Sequence, residues 1–481
     1  MNMPAQSGHP LTVRTKVVYG VGALVDSIKT FSFTTFLLFY YTTVLGLPGA
    51  LLGAAMSIGL VWDASVDPLI GHLSDRTTAR FGRRHSFMLA GAVLAGLSFI
   101  AVFNPPIGLS MGRLFAWLML SSLCLRSTNS MFMVPYWALG AELAPDYHER
   151  TSISGYRAGA VLVGTVLVTT AAFLVFLRNG QSGAEAARFA AGSYRSMGVA
   201  FGIVMTIVGL IATLGTRHER SRLATGVSAP ARGVTLLRSI ADALRDRPFR
   251  VLVLSSALSV MASAINAALA LHFLTYHARI EASEGLTSYF VAFYTGALAG
   301  VLVWVRATRA IEKSRAYALA MLATAIVMSA GYWLVGPGRP FGTGALGVIV
   351  VGNALAGFFG IAGAVIVPSM MADITARHEG ETGSGREGIF FGVYSFGQQI
   401  SGGLAVLTAS LLVDRFAGLV PAQVTQSPAT VERLVMISNV LPSALLVAAG
   451  LVALEYRVTR ERAAERLPDE LAVMAEGTQR T

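Results

Sequence analysis

Cysteine is almost absent from this chain. A single residue, Cys124, stands in 481, which excludes an intrachain disulfide and a cysteine-built metal cluster. Charge is scarce as well: 13% of residues are charged and 54% are hydrophobic, where a water-soluble chain carries about a quarter charged. Mean hydropathy is +0.61. The motifs of enzyme chemistry are missing too. Gly20-Val-Gly22 lacks the remaining spacing of a dinucleotide loop, no phosphate-binding loop occurs, and His148-Glu149 is not followed by the second histidine of a zinc helix. The chain is therefore expected not to be an enzyme and to carry no cofactor. Residues 1–16 are polar and the apolar run after them is too long for a signal core, so no cleavable leader is expected.

What the chain has is long apolar runs. They fall near 17–46, 49–74, 86–107, 111–142, 152–177 and 195–216, then near 248–276, 286–308, 315–336, 342–373, 388–413 and 434–457. A spanning helix needs about twenty such residues. The pattern predicts an all-α membrane protein with twelve transmembrane helices in two six-helix bundles, residues 1–216 and 248–457. A connector covers 217–247, and a charged tail follows at 458–481. Within the connector, Thr235-Leu-Leu-Arg238-Ser-Ile-Ala-Asp-Ala-Leu-Arg245 sets apolar residues at helical spacing opposite basic ones, the pattern of an interfacial amphipathic helix.

An even number of spans puts both termini on one side. Most of the 37 Lys and Arg residues lie at the termini or in loops after even-numbered segments, and eight lie in the opposite loops. The positive-inside rule then places both termini in the cytoplasm. The formal net charge of +11 comes from short clusters between apolar segments with no aromatic-interleaved stripe, so no nucleic-acid partner is expected. The two halves also echo one another. His148-Glu149-Arg150-Thr151 follows Glu142, and His378-Glu379-Gly380-Glu381-Thr382 follows Asp373. Arg76, Arg80, Arg83 and Arg84 have counterparts in Arg306, Arg309, Lys313 and Arg315. Parallel repeats about an axis along the membrane normal produce such echoes.

The second apolar segment contains two acids, Asp63 and Asp67, four apart and so on one helical face. A carboxylate at bilayer depth costs a few kcal/mol and normally faces a bundle interior or a water-filled path. Stacked acids before a basic loop predict a cation site. Asp26 and Lys29, three apart in the first segment, either pair with each other or line a central cavity. Arg157 reads as a gate partner for an acid or as an anion ligand, and Arg126 as a structural partner inside the bundle. Trp137 follows Pro135, which predicts either a helix break or a packed aromatic. Asn266, His272 and Asn353 read as interhelical hydrogen-bond partners.

Trp62-Asp63-Ala-Ser-Val-Asp67-Pro68-Leu-Ile-Gly71-His-Leu-Ser-Asp75-Arg76-Thr77-Thr-Ala-Arg80-Phe-Gly82-Arg83-Arg84 closely resembles the signature of the glycoside–pentoside–hexuronide:cation symporters, a branch of the major facilitator superfamily. Tyr19-Gly20-Val-Gly22, the stretch Pro135-Tyr136-Trp137 with Glu142 to Thr151, and Ala372-Asp373 with Arg386-Glu387-Gly388 agree with it, so the resemblance spans both halves. It implies a cation site at Asp63 and Asp67 with the Ser130 hydroxyl contributing. It implies substrate contacts at Trp137, Arg157 and Gln399, with Asp26 and Lys29 beside them. It also implies a cytoplasmic gate built from Asp75, Arg76, Arg80, Arg83, Glu142, Arg150, Asp373 and Arg386. Val66 stands where the family has an asparagine, and Met133 stands where it has a sugar-binding acid.

The expected protein is a monomeric, cation-coupled symporter of a small organic solute in the bacterial inner membrane, working with H⁺ or Na⁺. An exporter on the same fold, running H⁺ antiport, is the alternative reading. A lipid- or partner-binding membrane protein without ion coupling is a third. Beyond Na⁺ at Asp63 and Asp67, no metal is expected.

Overall fold

The computed structural model describes residues 11–77, 81–143, 147–178, 187–222, 244–382 and 387–456. The amphipathic part of the connector and the charged tail lie outside these. Among the described residues the regular structure is entirely helical. The helices are α1 (Val13–Val21), α2 (Leu24–Ser32), α3 (Gly49–Arg76), α4 (Arg83–Phe103), α5 (Met111–Leu143), α6 (Tyr147–Ala171) and α7 (Ala191–Gly215). They continue as α8 (Arg247–His272), α9 (Ser283–Ala310), α10 (Lys313–Leu334), α11 (Leu346–Gly360), α12 (Ala362–Thr382), α13 (Glu387–Leu412), α14 (Pro428–Val435) and α15 (Leu441–Ala453).

Ten helical stretches among the described residues are long and apolar enough to cross a bilayer. Residues 24–44 and the 33-residue α5 are helical as well but are not among the ten. These two passages carry Asp26, Lys29, Arg126 and Asn129. A helix that gives up apolarity inside a membrane needs a polar neighbour in compensation.

By contact, the chain groups into two compact units. The first holds residues up to 230 together with 267–291 and 406–434, and the second holds 231–266, 292–405 and 435 onward. In the first unit α4 packs on α5 and α7, α3 runs along α5, and α1 lies on α6. Its interior is aromatic: Phe36, Tyr40, Phe99, Phe103, Phe132 and Tyr194 are fully buried, and the Tyr40 and Tyr194 rings stack at 4.6 Å. Segments 267–291 and 406–434 join this interior. Phe290 stacks on Phe173 at 5.2 Å, His272 Nε2 lies 3.4 Å from Thr43 Oγ1, and the Ala422 N–H donates to the Thr42 carbonyl.

The second unit is built round Phe249, Tyr317, Met321, Met370 and Phe390, with α10 against α11 and α15. Here α9 meets α11 through glycines. A Cβ on Gly296, Gly300 or Gly357 would run into the facing backbone. Apolar side chains are no better solvated by protein than by lipid, so close backbone approach is what such a crossing gains. In the same unit Asn266 Nδ2 donates to the Ser438 carbonyl at 2.8 Å, an interhelical role matching its sequence reading. Outward-facing Leu97, Val163, Leu167, Ile326 and Val351 give both units an apolar exterior.

Candidate functional site

Two i, i+4 rows face each other in the first unit. On α3 the row is Gly59, Asp63, Asp67 and Gly71, and on α5 it is Ser122, Arg126, Ser130 and Val134. Both helices repeat one face about every 3.6 residues, so a contact made once recurs each turn. Gly59 lies directly against the Arg126 guanidinium, where a Cβ would collide with it, and Gly71 faces Val134. Between these ends, Arg126 Nη1 donates to Asp63 Oδ2, and the Ser130 hydroxyl lies within hydrogen-bonding reach of the Asp67 carboxyl. Trp62 Nε1 donates to Ser127 Oγ at 2.8 Å and ties the same helices from the side.

The chain after Asp67 adds to this. Pro68 stands inside α3, and the helix continues to Arg76. A proline has no N–H, so the carbonyl of residue 64, one turn earlier, receives no bond from it.

The first segment reaches the site through a break. Gly22 and Ala23 turn between α1 and α2, with their N–H groups on the Tyr19 and Gly20 carbonyls at 3.0 Å each. Gly22 has no room for a side chain against Tyr136 and Ala212. Tyr19 and Tyr136 stack at 4.5 Å, and each hydroxyl donates to the other residue's carbonyl, at 3.2 and 2.9 Å. Arg157 reaches the Tyr19 hydroxyl. Beyond the break, Lys29 Nζ lies 2.9 Å from Asp26 Oδ1, and Asn129 Nδ2 donates to the same oxygen at 3.4 Å. Lys29 also acts electrostatically on Asp67, together with Asp63 and Arg126.

The result is a chain of alternating charge running from Asp26 through Lys29 to Asp67, beside the Asp63–Arg126 pair. Three carboxylates meet two fixed cations, so one negative charge has no internal partner. Asp26 and Asp63 each hold a direct ion pair, while Asp67 has a hydroxyl. The Nε of Arg126 and the Oδ1 of Asn129 are buried without a hydrogen-bond partner. Among the described residues no three His, Cys, Asp or Glu side chains converge as a metal-ion group.

The expected cation residues Asp63, Asp67 and Ser130 thus come together, and Asp26 and Lys29 lie beside them. Asp26 and Lys29 adopt the paired alternative. Trp137 is 49% exposed and Arg157 half-buried, while Gln399 is an exposed residue of the second unit. Pro135 does not break its helix, since α5 runs through it to Leu143. Gln398 is packed, donating to Ser256 at 2.9 Å.

Of the gate residues, Arg83 and Arg84 both hold Glu142, at 2.8 and 2.5 Å. Asp373 is held by Lys313 at 2.6 Å. The second pair follows the first roughly 230 residues further on, with the base opening its helix in both, while Glu142 stands at the end of α5 and Asp373 inside α12. Arg80 and Arg386 lie outside the described residues, as do the side chains of Asp75, Arg76 and Arg150.

Arg126 and Asn129 are the site members that the motif did not supply. The signal was available: Ser122, Arg126 and Ser130 stand four apart in an apolar segment, the complement of the acid row.

Helices long and apolar enough to cross a bilayer, with charged residues paired within and between helices, are those of a polytopic membrane protein. The chain belongs to the MFS/sugar transport protein family, which it matches over residues 18–460, and that match makes it a transporter and not an enzyme. It is 25% identical to an uncharacterized symporter of Synechocystis sp., over 94% of this chain and 96% of that protein. It is also 25% identical to the inner membrane symporter YicJ of Escherichia coli, over 61% of this chain and 59% of that one. Its fold is similar to that of an inward-facing bacterial homologue of the human lysosomal transporter Spinster. That likeness has a TM-score of 0.64 at 15% identity, over 94% of this chain and 97% of that one.

Proposed function

We propose that this transporter is a cation-coupled symporter of a small organic solute, a sugar or sugar derivative, and that the coupling ion rides on Asp67. The charge balance of the α2–α3–α5 cluster carries the reading. Asp26 is neutralised by Lys29 and Asp63 by Arg126, which leaves Asp67 as the acid whose charge a mobile cation offsets. The α9–α11 crossing is made instead by glycine contacts and by Trp304 Nε1 donating to the Phe358 carbonyl at 2.9 Å. Val66, where the family resemblance places an asparagine, removes one oxygen ligand and favours H⁺ over Na⁺.

In this reading the protein is a monomer in the bacterial inner membrane, both termini cytoplasmic, and it works by alternating access between two six-helix halves. Asp26, Lys29, Trp137 and Arg157 contact the solute from the first unit, and Gln399 is the candidate contact of the second. Arg83, Glu142 and Asp373, with the remaining gate residues, close the cytoplasmic end. Ion and solute then help each other bind, since linkage is reciprocal.

Uptake by vesicles under imposed H⁺ and Na⁺ gradients, over a panel of glycosides and uronates, tests this. A solute should accumulate above its outside concentration under one gradient and stop when an ionophore collapses it. Accumulation indifferent to both gradients contradicts the reading.

A further inference from the structure

The Asp63 half of the acid pair is already occupied by the chain itself. Arg126 lies across it on the neighbouring helix, and its guanidinium donates to Asp63 Oδ2. Gly59, one turn before Asp63, supplies the space: a side chain there would overlap Arg126 Nε, Cδ and Cζ. The guanidinium is therefore seated in a slot that α3 leaves for it, flanked by the two i, i+4 rows.

We propose that Arg126 is a tethered cation that fills the Asp63 position of the site and bars a sodium ion from it. The inference rests on the cation-coupled reading of the Asp63–Asp67 pair and names its ion specificity. Two further observations support it. Arg126 Nε is buried with no hydrogen-bond partner, so the residue gives up one bond to keep its place. Its side chain is 15% exposed and that of Asp63 is 22% exposed, so solvent screens the pair little.

Electrostatics sets the size of the effect. A sodium ion on the Asp63 carboxylate would sit about 4 Å from the guanidinium charge. At an effective dielectric constant of about 20, that repulsion weakens binding about a thousand-fold. An arginine does not deprotonate in proteins, so the barrier persists at every working pH. The site then takes one mobile ion, at Asp67, where the motif alone suggests two acids sharing an ion.

The test is thermal stability of the purified chain in sodium chloride against equimolar choline chloride. Arg126→Gln should gain a sodium-specific rise in Tm beyond that of the unsubstituted chain, because Asp63 is freed. The extra rise should vanish in Asp63→Asn/Arg126→Gln, and Arg126→Lys, which keeps the charge, should behave like the unsubstituted chain. A folded Arg126→Gln chain with no added sodium response overturns the proposal, as does a gain that survives Asp63→Asn. Should Arg126→Gln not fold, Arg126→Met removes the same charge while keeping an unbranched side chain, and the same gain or its absence decides. The assay reads binding and not transport, so failure of the coupled reading itself would appear at Asp67 and not here.

Discussion

Tyr19 and Tyr136 hold the first segment against α5 by exchanging hydrogen bonds through each other's carbonyls, with the rings stacked between. Gly140 makes the approach possible, because a Cβ there would meet the Tyr19 hydroxyl. Removing one hydroxyl deletes one buried bond, a loss of about 1 kcal/mol. Adding a methyl forces the pair apart, which costs about 1–3 kcal/mol. Tyr136→Phe should therefore lower Tm modestly and Gly140→Ala should lower it more, read by thermal unfolding in detergent. The reverse order would mean that the stack, and not the backbone approach, fixes α1.

At this scale the sequence was legible where chemistry is local. Asp63 and Asp67 stand out because two acids four apart in an apolar run are costly unless they face a polar interior, and Ser130 came with the family resemblance. The partners were not legible. Whether Lys29 takes Asp26 or a solute depends on rotamers, and whether Arg126 reaches Asp63 depends on Gly59 facing it across two helices. Residue spacing within one segment says nothing about which face of another segment it meets.

Among elements, helix pairs that differ in content show what each crossing is for. The α9–α11 pair is close-packed through Gly296, Gly300 and Gly357, with backbone against backbone. Gly296→Ala should destabilise by about 1–3 kcal/mol, since its methyl meets the Ala354 carbonyl oxygen. Gly352→Ala, whose methyl meets nothing within 4 Å, should be neutral or stabilising by up to about 1 kcal/mol from helix propensity alone. Equal effects in a thermal-unfolding comparison would show that helix propensity, and not the crossing, controls both positions.

The helix ends carry a further regularity. Turns of π-helix close the segments at Tyr40–Val44, Ala172–Phe176, Phe273–His277 and Val413–Ala417. Apolar periodicity cannot reveal such turns, because one extra residue per turn leaves the composition unchanged. Arg188 lies among them, buried, donating to Thr275 and to the Ile280 and Glu281 carbonyls. A lone arginine in a loop gives no sign of this in sequence.

For the whole molecule, hydropathy pointed to a helical membrane protein and the motifs to a transporter family, and the family match and the all-helical structure of the described residues agree with this. Among the described residues ten stretches satisfy both length and apolarity; Asp63 and Asp67 lie on one of them, while Asp26, Lys29, Arg126 and Asn129 lie on helical passages outside that set. Counting is less reliable where polar residues interrupt a helix, because they weaken the signal that marks a span. The ion pairs of Arg83 and Arg84 with Glu142 in the first unit have a counterpart in Lys313 with Asp373 in the second. Among the described residues the first unit carries the charged cluster of Asp26, Lys29, Asp63 and Arg126 within its helices.

The central claim is that Asp67 carries the coupling ion, and one pair of assays on Asp67→Asn tests it. The amide keeps the size and a polar group within reach of Ser130 but removes the charge that an ion offsets. In vesicles holding this variant, gradient-driven accumulation of the transported solute should disappear while solute exchange under equal concentrations continues. Accumulation at the unsubstituted level in Asp67→Asn would contradict the account.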